Sequence, residues 1–203
     1  YGFIFYFQDD IWGPVMTFFG YLFASGGFLF MFGSFVPSWD SQYYPLMMTQ
    51  NIEYKEYIKS KWSLVVIGTI ISTVLACFIY SFLGTDAVFA VLAGGLYNMG
   101  INGYLTLWAG AYTKTPVDLD SSKMVFGGRK AINMKTILIS LPQMALPLLL
   151  FWIGYNYYSI LIGCLIVGLT GVVGILLKDL VFKLIIRAYK SEKYSTLKAY
   201  KKT

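Results

Sequence analysis

The sequence predicts an all-α protein: a polytopic bundle of five transmembrane helices, with one amphipathic helix lying at the cytoplasmic interface. Three observations predict it. The 203 residues are 57% hydrophobic and only 13% charged, with a mean hydropathy of +0.62. A soluble domain is about one-quarter charged, and one soluble core of this size has no room for so much apolar surface. The charges are also clustered, leaving windows 13–35, 63–85, 87–113 and 136–177 without a single one. Finally, the 16 Lys and Arg segregate completely with respect to those windows.

A membrane helix needs about 20 apolar residues. The first three windows hold one such helix each. The fourth is long enough for two, and Gly154-Tyr155-Asn156-Tyr157-Tyr158-Ser159 is the natural break. The expected spans therefore lie near 13–35, 63–84, 87–110, 136–154 and 158–177. Alternation places segments 36–62, 112–135 and 178–203 on one side, where they carry three, five and eight cations. The other side carries only Asp9, Asp10 and Asp86. Short cytoplasmic loops retain Lys and Arg, so the first side is predicted to be the cytoplasm of a bacterial inner membrane, with the C-terminus inside. The net charge of +6 is then a record of insertion, not a nucleic-acid surface.

Several chemistries are excluded. Cys77 and Cys164 fall within predicted spans and read as small packing residues, not a disulfide or metal pair. The chain has no His, the commonest metal ligand and general base. No cofactor motif is present. Gly127-Gly128-Arg129-Lys130 lacks the spacing and the preceding strand of a phosphate-binding loop, so ATP hydrolysis is not expected on this chain. Tyr1-Gly2-Phe3-Ile4-Phe5-Tyr6-Phe7 has no charged n-region and is not a signal peptide. It looks like the outer end of a preceding helix, so residues 1–203 are expected to be the C-terminal portion of a longer protein, forming a single transmembrane domain.

The first inner segment is the most informative. Pro37 ends the first span, and Trp39, Tyr43 and Tyr44 suit the interface. Asn51 can cap a helix over 51–61, with Glu53 in its first turn and Lys59 and Lys61 later. Tyr54, Ile58, Trp62 and Val65 form one apolar stripe, while Glu53, Lys55, Glu56 and Lys59 point elsewhere. Such a surface helix, turning into the second span, either anchors the loop or docks a partner.

Inside the spans the polar residues are neutral, which counts against a proton- or sodium-coupled carrier. Gly94, Asn98 and Asn102 recur every four residues on one face of the third span. They read as a polar stretch of a path or as glue between helices. Gly20 and Ala24 form a small-residue pair in the first span, and Gly163, Gly168, Gly171 and Gly174 run through the fifth. Pro142 and Pro147 are expected to kink or loosen the fourth. In the tail, Leu184, Ile185, Ala188 and Tyr189 are expected to face lipid while Lys183, Arg187 and Lys190 reach anionic headgroups, each cation contributing about 1 kcal/mol.

Leu46-Met47-Met48-Thr49-Gln50-Asn51-Ile52-Glu53-Tyr54-Lys55-Glu56-Tyr57-Ile58-Lys59-Ser60-Lys61 resembles the coupling segment of ABC-2-type exporter permeases, with Asn51 where that family often carries Pro. Tyr97-Asn98-Met99-Gly100-Ile101-Asn102, Thr115-Pro116-Val117-Asp118-Leu119 and Leu141-Pro142-Gln143 look similar to a family of uncharacterised multi-pass proteins from Bacteroidetes. The resemblance implies a membrane subunit of an ATP-driven exporter, lacking the first of six helices. Asn51, Glu53, Tyr54, Lys55, Glu56, Tyr57, Ile58 and Lys59 would dock on a separate P-loop ATPase, and a second permease copy or homologous half would complete the path. The alternative from a different class is a non-transporting membrane scaffold of a larger envelope complex. An intramembrane enzyme lacks a nucleophile paired with a base or metal.

Overall fold

The computed structural model describes residues 9–33, 36, 38–50, 52–114, 116 and 134–200. It is about 90% helical, with no strand among the described residues, so the all-α expectation holds. The loop motif at 127–130 and the segment 1–7 lie outside the described residues.

Helix α1 spans Asp9–Phe32, broken at Gly13, whose φ of 65° lies in the left-handed region. Only glycine enters that region without a steric penalty, and Pro14 then starts a fresh helical run where its missing N–H costs nothing. A turn of 3-10 helix at Ser38–Asp40 leads to the short α2, Tyr44–Thr49. Helix α3 runs from Tyr54 to Tyr80, 27 residues or about 40 Å. It ends in a 3-10 turn at Ser81–Leu83 and Gly84, whose φ of 120° reverses the chain. Helix α4, Thr85–Tyr97, continues through a π-helical turn at Asn98–Asn102 into α5, Gly103–Gly110. Helix α6, Met134–Tyr157, contains both Pro142 and Pro147. Helix α7, Ile160–Leu176, is capped by Ser159, whose hydroxyl accepts from Ile162 N at 3.3 Å. Helix α8, Lys178–Tyr200, leaves α7 at a bend of 69°.

Among the described residues, two helices are long and apolar enough to cross a membrane by themselves, over Gly13–Phe30 and Tyr54–Leu83, and a third span is gained if the bent pair α7 and α8 counts as one. Exposed apolar rows fit the same environment. Ile67, Ile71, Val74, Leu75 and Phe78 on α3 and Leu165, Leu169 and Leu176 on α7 are all more than half exposed. Belts of that extent are not left to water.

Two expectations are corrected. The surface helix over 51–61 is not a separate element turning into a span. With no Gly or Pro between Tyr54 and Ile67, nothing interrupts the helix, so both form one rod. The separate short helix is α2, with Pro45 in its first turn. The apolar face of the tail is also placed otherwise. Ile185 and Tyr189 are 1% and 2% exposed and Ala188 is buried, packed on protein instead of lipid; only Leu184 is open.

Two apolar cores lie at opposite ends of α3. One gathers Phe18, Leu22, Tyr80, Val91, Phe151 and Val167; the other gathers Val36, Ile58, Leu107, Ile185 and Tyr189. Glycines bring the helices together. A Cβ on Gly171 would stand 2.5 Å from the Leu96 carbonyl and 2.6 Å from Tyr97 N, so α7 lies directly on the α4 backbone. Gly154 and Gly163 bring α6 and α7 together in the same way.

Candidate coupling surface and polar seam

The base of α3 is assembled from its sequence outward. Asp40 sits at the end of the 3-10 turn and faces the first two turns of α3. It accepts from the Tyr57 hydroxyl at 2.8 Å and pairs with Lys61 Nζ at 2.7 Å. Lys61 also lies 5.5 Å from the Tyr57 ring centroid. Lys61 is therefore occupied within the protein, which the sequence pattern did not reveal.

The predicted coupling residues divide by side. Tyr57 and Ile58 are 5% and 0% exposed and belong to the core. Tyr54 is half-buried and its hydroxyl meets Met48 Sδ at 3.1 Å. Glu53, Lys55, Glu56 and Lys59 are exposed. Glu53 is the residue preceding the helix, with no side-chain cap bond; Asn51, the predicted cap, lies outside the described residues. Tyr43, Leu46 and Ile52 add apolar exposure beside the charges.

Helix α8 holds this base in place. Tyr189 packs against Tyr57 and Tyr54, with ring centroids at 6.2 and 6.4 Å, and donates to the Leu107 carbonyl at 3.1 Å. Tyr44 and Tyr200 meet edge to face at 5.6 Å. Lys114 and Glu192 pair at 2.7 Å. Burial pushes the Tyr44 hydroxyl well above its ordinary range and the Tyr200 hydroxyl up to about 12, so both remain neutral donors at physiological pH. No spacing rule links residues 54–57 to residue 189, but aromatic residues on the buried faces of two amphipathic stretches were a usable signal.

Gly94, Asn98 and Asn102 do come together as a seam. A Cβ on Gly94 would stand 3.1 Å from Leu22 Cα, which brings α1 close. Asn98 Nδ2 then donates to the Leu22 carbonyl at 2.9 Å and to Ser25 Oγ at 3.1 Å. Asn102 Nδ2 donates to Asn98 Oδ1 at 2.8 Å. Both asparagines are 0% exposed. The seam fastens α1 to the π-helical turn that follows α4. A second fastening was missed: Gln143 Nε2 on α6 donates to Thr106 Oγ1 on α5 at 2.9 Å. The signal was available, since a Gln beside Pro142 in an apolar span needs a polar partner.

No group of three or more His, Cys, Asp or Glu that could hold a metal ion occurs among the described residues. Cys77 and Cys164 are free thiols. What the base of α3 offers is a charged, solvent-facing turn at the end of a long apolar rod.

No curated protein and no solved structure matches the chain. A family model does, over residues 1–203, and by that match the chain belongs to DUF5687, a family of unknown function.

Proposed function

We propose that this chain is the membrane-spanning permease subunit of an ATP-driven ABC-2-type exporter. It crosses a bacterial cytoplasmic membrane five times, near 13–35, 63–84, 87–110, 136–154 and 158–177, with its C-terminus inside. The observation that carries the reading is the continuity of α3. Glu53, Lys55, Glu56 and Lys59 are exposed on or beside the first turns of a 27-residue helix that carries no charge after Lys61. A force applied to that turn is transmitted along the rod without a hinge. Tyr43, Leu46 and Ile52, close by in sequence, add exposed apolar surface to these charges, a mixture that suits a protein interface. A separate P-loop ATPase supplies the hydrolysis, and a second permease copy or homologous half completes the path.

The test is purification of the protein from its native membrane, followed by a search for a bound nucleotide-hydrolysing subunit. The paired reversal Lys55→Glu with Glu56→Lys is expected to release that subunit without lowering the unfolding temperature. Complexes that contain no nucleotide-binding partner sink the exporter reading and favour a membrane scaffold.

A further inference from the structure

Helices α5 and α8 leave between them an open groove of about 540 Å³, a volume within the range of ligand sites. Its two walls run in the same sense, from apolar to polar. Along one wall Leu105, Trp108 and Tyr112 follow at helical spacing, and the last two rings meet edge to face at 5.9 Å. Along the other, Leu184, Arg187 and Ser191 share one face of α8. The polar ends of the walls are joined by the Lys114–Glu192 pair. Tyr104 lines the groove near its apolar end, and its ring meets Phe182 behind it at 5.9 Å.

A groove with an apolar end and a cationic end fits an amphiphile with a negative head. Arg187 is exposed and has no ion pair among the described residues, while Glu192 is neutralised by Lys114. Lys183 and Lys190 add positive charge on the same helix without lining the groove. Tyr104 is 4% exposed and its buried hydroxyl has no hydrogen-bond partner among the described residues. Leu180 in the first turn of α8 and Leu176 at the end of α7 are 60% and 77% exposed, apolar surface that suits a hydrocarbon surrounding. The groove therefore opens at the bilayer surface, and Trp108 and Tyr112 are the residue types that concentrate at that depth.

We propose that the groove between α5 and α8 binds one anionic diacyl phospholipid, with an acyl chain along Leu105 and Leu184 and the phosphate at Arg187. Contact with the phosphate is charge-assisted from the guanidinium, the geometry in which Arg excels. The proposal requires membrane embedding but not ATPase docking, so lipid retention and ATPase co-purification fail independently.

Native mass spectrometry of the full chain, released from detergent in the presence of phosphatidylglycerol or phosphatidylcholine, tests it. One phosphatidylglycerol is expected to be retained in preference to phosphatidylcholine. Arg187→Gln is expected to lower that retention about fivefold, the effect of one headgroup-paired cation. Lys183→Gln removes the same charge from the same helix outside the groove and is expected to leave retention nearly unchanged. Equal losses in the two variants, no preference for the anionic lipid, or retention of inorganic phosphate as firmly as the lipid would each overturn the site. Both substitutions are at exposed positions, and an unchanged unfolding temperature confirms that each variant is folded.

Discussion

Tyr57 donates its hydroxyl to Asp40 at 2.8 Å, and Lys61, one turn further along α3, reaches the same carboxylate. One acceptor thus fixes the 3-10 turn to two successive turns of the helix. Tyr57 is 5% exposed, so its hydroxyl has little access to replacement water. Tyr57→Phe is expected to destabilise the protein by about 1.5–3 kcal/mol, as for other hydrogen bonds to charged groups. Asp40→Ala should cost more, because it strands both donors. Thermal unfolding in detergent measures both; equal, negligible losses would mean that the pair forms without stabilising the base.

The contact between α4 and α7 makes a steric prediction. Gly171 has no space for a Cβ, which would meet the Leu96 carbonyl at 2.5 Å. Gly27, inside α1, has nothing within 4 Å of the same position. Gly171→Ala must separate two helices and is expected to lose about 2 kcal/mol or more, in the range of overpacked cores. Gly27→Ala is expected to be neutral or to gain about 0.5–1 kcal/mol from reduced backbone freedom. A comparison of the two unfolding midpoints decides it, and equal behaviour would count against the close α4–α7 packing.

The helical stretches were legible because each charge-free window is apolar enough to need burial or lipid, and the break expected over 154–159 falls at its far end, after Tyr157. The asparagine seam was legible for a similar reason: Asn98 and Asn102 in an apolar stretch need partners, and Gly94 shows which face approaches a neighbour. Three features were not legible. Periodicity over 54–65 identifies an apolar stripe but not whether the helix bends where the charges end. The stripe Ile185, Ala188 and Tyr189 had to be covered, yet hydropathy does not distinguish lipid from Tyr57 and Leu107. Asp40 stood alone in sequence, seventeen residues from its hydroxyl donor.

The tyrosines that join α8 to the rest of the base set an alkaline limit. Burial raises Tyr200 from 10.0 to about 12, and the nearby Asp40 charge adds to the shift. The folded value lies above the unfolded one, so the stabilisation from neutral Tyr200 is complete below pH 10 and is lost as pH rises towards 12. The unfolding midpoint should hold steady to about pH 10 and decline above it. In Tyr200→Phe part of that decline should disappear. Melting curves followed across this window check it, and identical alkaline limbs would show that the buried hydroxyl makes no difference.

Ile58 and Glu56 separate folding from docking at the base of α3. They are two residues apart, yet Ile58 is 0% exposed and Glu56 is exposed. Ile58→Ala leaves a cavity beside Tyr189 and Leu107 and is expected to cost about 2–5 kcal/mol. Glu56→Lys touches no described partner and is expected to shift stability by less than about 0.5 kcal/mol. If α3 delivers force from a cytoplasmic subunit, Glu56→Lys nevertheless weakens that association, and Ile58→Ala weakens it only to the extent that the protein unfolds. Retention of the subunit, plotted against unfolding temperature for both variants, should therefore place Glu56→Lys well below the line defined by core substitutions. A point that falls on the line would mean that the exposed charges carry no docking role and that α3 is only a membrane helix with a solvated end.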